Sequence, residues 1–208
     1  MILASASPRR RELLSRAGFD LSIEPANIDE TRLPDESPLA LVERLATQKA
    51  KAAHASHGRL QSGQVLLAAD TIVWTGDDVL GKPADEADAR RMLSELSGAA
   101  HHVSTGVCLV METNDGATVT RSFVETTQVT FKELTPEQVD AYVATGEPMD
   151  KAGAYGIQGG AGTFVSHLEG DYDNVVGLPV GRIMRELSSY GLLPNVRTDA
   201  GEQPKATS

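Results

Sequence analysis

The chain has 208 residues, 40% of them hydrophobic and 23% charged, enough for one sizeable core in two lobes. Its net charge of -10 excludes a general binder of nucleic acids or acidic membranes, which would be basic, so any anion site is a local exception. The single cysteine, Cys108, excludes an internal disulfide and fits a reducing compartment, and no apolar run approaches the roughly 20 residues that span a bilayer.

Residues 1–5 read as a first strand, with an N-terminus too short and too quickly charged for a secretory signal. Ser7 then N-caps a helix that has Pro8 first, Leu13, Leu14 and Ala17 as its apolar stripe and Gly18 as its stop. Residues 19–30 are a second strand running into a loop that ends at Asp29 and Glu30. Residues 38–58 have helical periodicity, with Leu41 and Leu45 on one face and Gln48 or Lys49 beside it. The continuous apolar run that starts at residue 64 marks a strand buried on both sides and ending at Asp70-Thr71. A helix follows over 85–98, acids first and Gly98 as its stop. Residues 101–134 form two long strands around an Asn-Asp-Gly turn, with Cys108 as a buried inert thiol in the first. In the helix of 134–146, Thr135 is the N-cap, Pro136 the first residue and Gln138 the capping-box partner. A glycine-rich stretch fills 149–179, a last helix 179–191, and from Asn195 the chain is polar and frayed. The expectation is a mixed α/β fold: a twisted sheet with flanking helices in two lobes around a cleft. Residues 1–194 form its single domain and 195–208 a disordered tail.

Three stretches carry chemistry. The first is Arg9-Arg10-Arg11 in the opening turn of a helix, where the dipole disfavours cations by about 0.3–1 kcal/mol each. It reads either as solvated surface or as an anion site, in which free N–H groups and arginine forks hold phosphate. The second is "AADTIVWTGDDVLGKP": Asp70 follows a buried strand and Lys82 sits in a Gly-Lys-Pro turn. Each alone is a cap or an exposed turn residue; together they suit water activation and phosphate charge. The third is "DKAGAYGIQG", where glycines allow close approach of backbone to a ligand and Tyr155 and Gln158 are the residues able to pack on and hydrogen-bond it. No phosphate-binding G-x-x-x-x-G-K-[ST] loop, G-x-S-x-G elbow or zinc-type histidine pattern occurs. Glu30, Lys49 and Asp70 are the remaining polar candidates, and oxygen ligands from Glu30 and Asp70 favour magnesium or manganese.

As a set, "LASASPRRRELL", "IDET", "LATQKA", "AADTIV" with "LGKP", "LSGAAHHVSTGV", and "DKAGAYGIQG" followed by "GDYDNVVGLP" resemble the Maf family of nucleoside triphosphate pyrophosphatases. The resemblance runs to about Leu193. It implies a nucleotide-binding cleft and hydrolysis between the α and β phosphates to a monophosphate and pyrophosphate, with a divalent cation, Mg²⁺ or Mn²⁺. Asp70 matches the family's general base. Arg9, Thr71 and Gln158 match positions that set substrate choice, and Glu30, Lys49 and Lys82 match further polar positions of the cleft. The resulting expectation is catalysis by Asp70 and Lys82, substrate binding by Arg9, Arg10, Lys49, Thr71 and Gln158, and metal binding by Glu30 and Asp70.

"KAGAYGIQG" is similar to the branch that acts on dTTP and UTP; the branch for 7-methyl-GTP differs around the glutamine. Met149 stands where many members carry Trp. The implied protein is cytoplasmic and homodimeric, with a small-molecule triphosphate as partner and neither nucleic acid nor membrane. The competing readings are a nucleotide-sensing, division-regulating binding protein and the 7-methyl-GTP specificity.

Overall fold

The computed structural model describes residues 1–113 and 116–194. In chain order its elements are β1 (Ile2–Leu3), α1 (Pro8–Arg16), β2 (Ser22–Ile23), α2 (Pro38–His57), β3 (Val65–Thr75), β4 (Asp78–Leu80), α3 (Glu86–Leu96), β5 (Ala100–Glu112), β6 (Thr118–Phe131), α4 (Pro136–Val143), β7 (Val165–Glu169), α5 (Tyr172–Val176) and α6 (Val180–Ser188). Three 3-10 turns, Glu147–Asp150, Ala152–Ala154 and Gly160–Phe164, lie between α4 and β7.

The helix starts obey their caps. Ser7 Oγ accepts from the Arg10 amide at 3.4 Å, and Asp85 accepts from the Asp88 amide at 2.8 Å. Thr135 and Gln138 close the expected capping box. Among the described residues, seven strands make one mixed sheet in the order β2-β1-β3-β5-β6-β7, with β4 paired to β3 beside that path. β1 runs parallel to β2 and β3; all other pairs are antiparallel. β5 and β6 pair as the two long strands expected, and beside their connection the Thr113 amide donates to Ala117 O at 2.9 Å. Asn114 and Asp115, like the expected tail from Asn195, lie outside the described residues.

Alternation along the strands sorts the core. Val65, Leu67 and Ala69 of β3 and Val107, Leu109 and Met111 of β5 pack with Leu13 and Leu14 of α1 and Ile183 and Leu187 of α6. The intervening Leu66, Ala68, Cys108 and Val110 pack against Ala46, Ala50 and Ala53 of α2. Small side chains bring α2 close to the sheet, and at Gly106 the volume of a Cβ is occupied by the Val42 carbonyl of α2. Further along the same strands, Val73, Val103, Val129 and Phe131 meet Leu93 and Leu96 of α3 and Val139 and Tyr142 of α4, forming the core of the second lobe.

One sequence expectation changes here. The strand carrying Asp70 does not end there but continues to Thr75. What ends is its neighbour: β1 pairs with β3 only at Leu66 and Leu67, and β4 joins only at Val73–Thr75. Over residues 69–72, β3 therefore has a strand partner on one side only, β5. The gap puts ligand-facing backbone in the middle of a well-paired strand. Apolar periodicity shows how long a strand is buried, not where its neighbour stops.

Candidate active site

A cleft of about 1040 Å³ opens at this gap, between the loop after β1, the N-terminus of α1, α2, the β4 turn and the glycine-rich segment. All the residues expected at a site line it: Arg9, Arg10, Glu30, Lys49, Asp70, Thr71, Lys82 and Gln158. They come from segments far apart in the chain, and the open edge of β3 is what gathers them.

Asp70 has the parity of Leu66 and Ala68, so it faces α2. Lys49 reaches it from that helix, its Nζ donating to Asp70 Oδ1 at 2.6 Å and lying 2.6 Å from Glu30 Oε1 as well. Lys49 is thus held between the two carboxylates rather than free to meet substrate. The three differ in freedom: the side chains of Lys49 and Asp70 are each 12% exposed, that of Glu30 59%. Among the described residues, no group of three or more metal-ligating side chains gathers. Two carboxylates nevertheless suit a magnesium-type ion, which is usually held by one or two of them plus substrate phosphates and water.

Thr71 has the opposite parity and faces α1 and α5. There the arginines divide. The Arg10 guanidinium spends four of its five N–H donors inside the protein: Nε donates to Gly177 O at 2.9 Å, Nη1 to Ala69 O at 2.8 Å and to Ser5 Oγ at 3.3 Å, and Nη2 to Thr71 Oγ1 at 2.9 Å. The Ala69 carbonyl lies in the stretch of β3 left without β1 or β4, and Arg10 satisfies it. Arg10 therefore departs from the expectation of a free phosphate fork: it lines the cleft as the tie between three segments. Thr71 is tied in the same way, its hydroxyl also 3.0 Å from that of Thr105 and 3.3 Å from Gly177 O. Arg9 and Lys82 line the cleft and make no hydrogen bond or ion pair with any described residue.

On the opposite wall Gln158 is exposed at the tip of the turn 156–160, its amide likewise unpaired among the described residues. Sequence reasoning missed Glu147, Asp150 and Lys151, which line the same wall. Lys151 Nζ donates to Asp150 Oδ1 at 2.7 Å and to Glu147 O at 2.8 Å. Asp150 is held below the usual carboxylate range, first by that lysine hydrogen bond and further by the charges of Lys151 and Arg9.

Tyr155 closes the back of the cleft. Its hydroxyl is 2.9 Å from His101 Nε2, and its ring packs edge-on against Phe131. Burial, with a smaller contribution from His102, lowers the pKa of His101 from 6.5 to about 4. A histidine whose folded pKa lies below its unfolded one is neutral in the native state, so protonation favours unfolding. Its contribution is complete above pH 6.5 and is lost as the pH falls towards 4. Urea titrations should show about 2 kcal/mol lost through this group by pH 5. His101→Gln should flatten the pH slope; equal slopes in the two proteins would remove His101 as the cause.

Fold and cleft together define the class: a mixed α/β protein whose central strand opens, at a lysine-bridged carboxylate pair, onto a cleft edged by unpaired cations. The Maf-like protein family matches residues 1–190. The dTTP/UTP pyrophosphatase of Bacillus cereus strain AH820 is 48% identical over 192 residues, 92% of this chain and 96% of that protein. The protein of the same name from Bacillus mycoides strain KBAB4 is 49% identical over 190 residues, 91% of this chain and 95% of that one. The chain belongs to the Maf family. Among solved structures, the Staphylococcus aureus Ham1 protein matches 62% of this chain and 70% of its own at 14% identity, with a TM-score of 0.43. Among the described residues, no helix is long and apolar enough to cross a membrane.

Proposed function

We propose that this chain hydrolyses dTTP and UTP between the α and β phosphates, releasing the monophosphate and pyrophosphate. The observation that carries this reading is the buried Asp70 carboxylate, set at the open edge of β3 in a cleft with uncommitted cations at its rim. The printed names of the half-identical relatives support the substrate pair. A volume of about 1040 Å³ is at the upper end for small-molecule sites and accommodates a triphosphate.

In this reading, the N-terminus of α1 and Arg9 hold the phosphate chain, which reverses the unfavourable placement of cations there. Asp70 orients the attacking water and takes its proton. Lys82 stabilises the charge that develops on departing pyrophosphate, in a direct displacement with no covalent enzyme intermediate. Glu30 and Asp70 are the residues that would hold a divalent cation, Mg²⁺ or Mn²⁺, which when bound lowers the pKa of water and screens phosphate charge. Lys49 balances the two carboxylates. Arg10 and Thr71 serve by position, holding the loop after β1 and the end of α5 against β3. The catalytic unit is residues 1–194, and the buried, unpaired Cys108 accords with a cytoplasmic setting. The homodimer belongs to this reading on family resemblance alone.

Gln158 offers a donor and an acceptor together, which matches the imide edge of thymine or uracil; cytosine reverses one partner. The test is pyrophosphate release from a panel of canonical, modified and 7-methylated triphosphates, with magnesium and with manganese. Release from dTTP and UTP above the rest is the expected result. Tight binding without release from any of them would instead mark a sensor. In Gln158→Ala, the dTTP-to-dCTP ratio of kcat/KM should fall by about tenfold. An unchanged ratio removes Gln158 from base reading.

A further inference from the structure

The turn that presents Gln158 is bound at both ends to one carboxylate. Glu147 Oε1 accepts from the Tyr142 hydroxyl at 3.0 Å, and that hydroxyl in turn accepts from the Gly156 amide at 3.1 Å. Glu147 Oε2 accepts from the Gly160 amide at 3.1 Å. Residues 156 and 160 flank Gln158 by two positions on either side, so the Glu147–Tyr142 pair brackets the turn. Burial raises the pKa of Tyr142, so its hydroxyl stays protonated and able to donate.

The glycines confirm how close the contact is. A Cβ at Gly159 would fall on the Glu147 carboxylate, and one at Gly156 would come within 2.7 Å of Lys151 Cε and 3.0 Å of Glu147 Oε1. Neither glycine has a positive φ. They are small because Glu147 and the stem of Lys151 occupy the space a side chain would need. Lys151, donating to the Glu147 carbonyl, fixes the base of the same side chain.

We propose that Glu147, acting through Tyr142, is a positioning residue that sets the base selectivity of the site by holding the Gln158 turn in one conformation; this rests on the reading of Gln158 given above. A carboxylate is suited to the task because both of its oxygens only accept. An amide of the same size has one accepting oxygen for the Gly160 N–H, and its N–H groups meet the Tyr142 hydroxyl only if that hydroxyl turns from donor to acceptor. Glu147→Gln can therefore keep both contacts, the one to Tyr142 with its direction reversed, and Glu147→Ala keeps neither, which fixes an order of effects. The role differs from catalysis: a loose turn samples conformations that cannot bind, so the loss falls on KM rather than kcat.

The experiment compares wild type, Glu147→Gln, Glu147→Ala and Tyr142→Phe in two measurements. One is hydrogen exchange of the amides at 156–160. The other is steady-state pyrophosphate release from dTTP and dCTP. The expected result is faster exchange at 156–160, a KM for dTTP raised about tenfold by Tyr142→Phe and Glu147→Ala, with Glu147→Gln between these and wild type, and a parallel fall in preference over dCTP. Exchange and KM at wild-type values overturn the proposal. A lower melting temperature with KM unchanged, or a loss confined to kcat, does so too. A wild type without turnover on any triphosphate sinks the reading of the site, and the bracket's role in selectivity with it. An active wild type with indistinguishable variants sinks the bracket alone.

Discussion

Asp70→Asn should reduce pyrophosphate release from dTTP by about 10³-fold or more while the protein still folds and binds nucleotide. The size follows from Asp70 having two tasks in the proposed reaction, proton acceptor and cation ligand, and an amide is poor at both. Folding should survive because the amide oxygen still accepts from Lys49, and the exposed Glu30 remains on the other side of that ammonium. Stopped assays with magnesium and with manganese, together with a binding titration of dTTP, separate the terms. Loss of kcat with binding retained places Asp70 at the reacting atoms. A kcat within tenfold of wild type would show that another group activates the water.

The second large effect is on stability. Arg10→Met should lower the unfolding free energy by about 3 kcal/mol or more, because Ala69 O loses its side-chain donor and Gly177 O and Thr71 Oγ1 each lose one partner at the same time. For a chain of this size that is a fall in Tm of about 6–12 °C. Arg10→Lys should restore only part of it, since one ammonium cannot span acceptors that a planar fork reaches on separate segments. Arg9→Met should leave Tm within about 2 °C and instead raise the KM for dTTP, because Arg9 makes no bond to any described residue that its loss would break. Thermal melts of the three variants decide the matter. Equal melting of Arg9→Met and Arg10→Met would mean that the two neighbours share one role.

These arginines also show what was legible in the sequence. That the opening turn of α1 is capped by Ser7 and starts with Pro8 is local information, and the structure agrees. The same holds for Asp85 and for the Thr135–Gln138 box, where side chain and partner are three residues apart. Which arginine turns inward is not local. It depends on Gly177, 167 residues away, and on where β1 stops pairing. The strand end expected at Asp70-Thr71 failed for the same reason: hydrophobicity records burial along a strand but not the identity of its neighbours. Among the site residues, Asp70 stood out through its place after a buried run. Lys49 drew notice only as a polar residue beside an apolar stripe, and nothing in its spacing announced two carboxylate partners. Glu147 went unnoticed, although its trace was present: Gly156 and Gly159 are glycines where the backbone needs no unusual angle, a sign that something else fills the space.

The hairpin of β5 and β6 belongs to both lobes: Val107 and Leu109 lie in one core, Val103 and Phe131 in the other, and the strands are paired without interruption between Ala100–Thr130 and Glu112–Thr118. Mechanically this is a single beam with a notch cut in its neighbour, not two bodies on a hinge. No loop interrupts this ladder, so the two cores share one continuous element. The spans laid over the notch carry Glu30, Lys82 and Gln158 on three separate stretches of chain. In the proposed reaction the base end and the phosphate end of the cleft are therefore served by different stretches of chain, Gln158 on one and Lys82 on another.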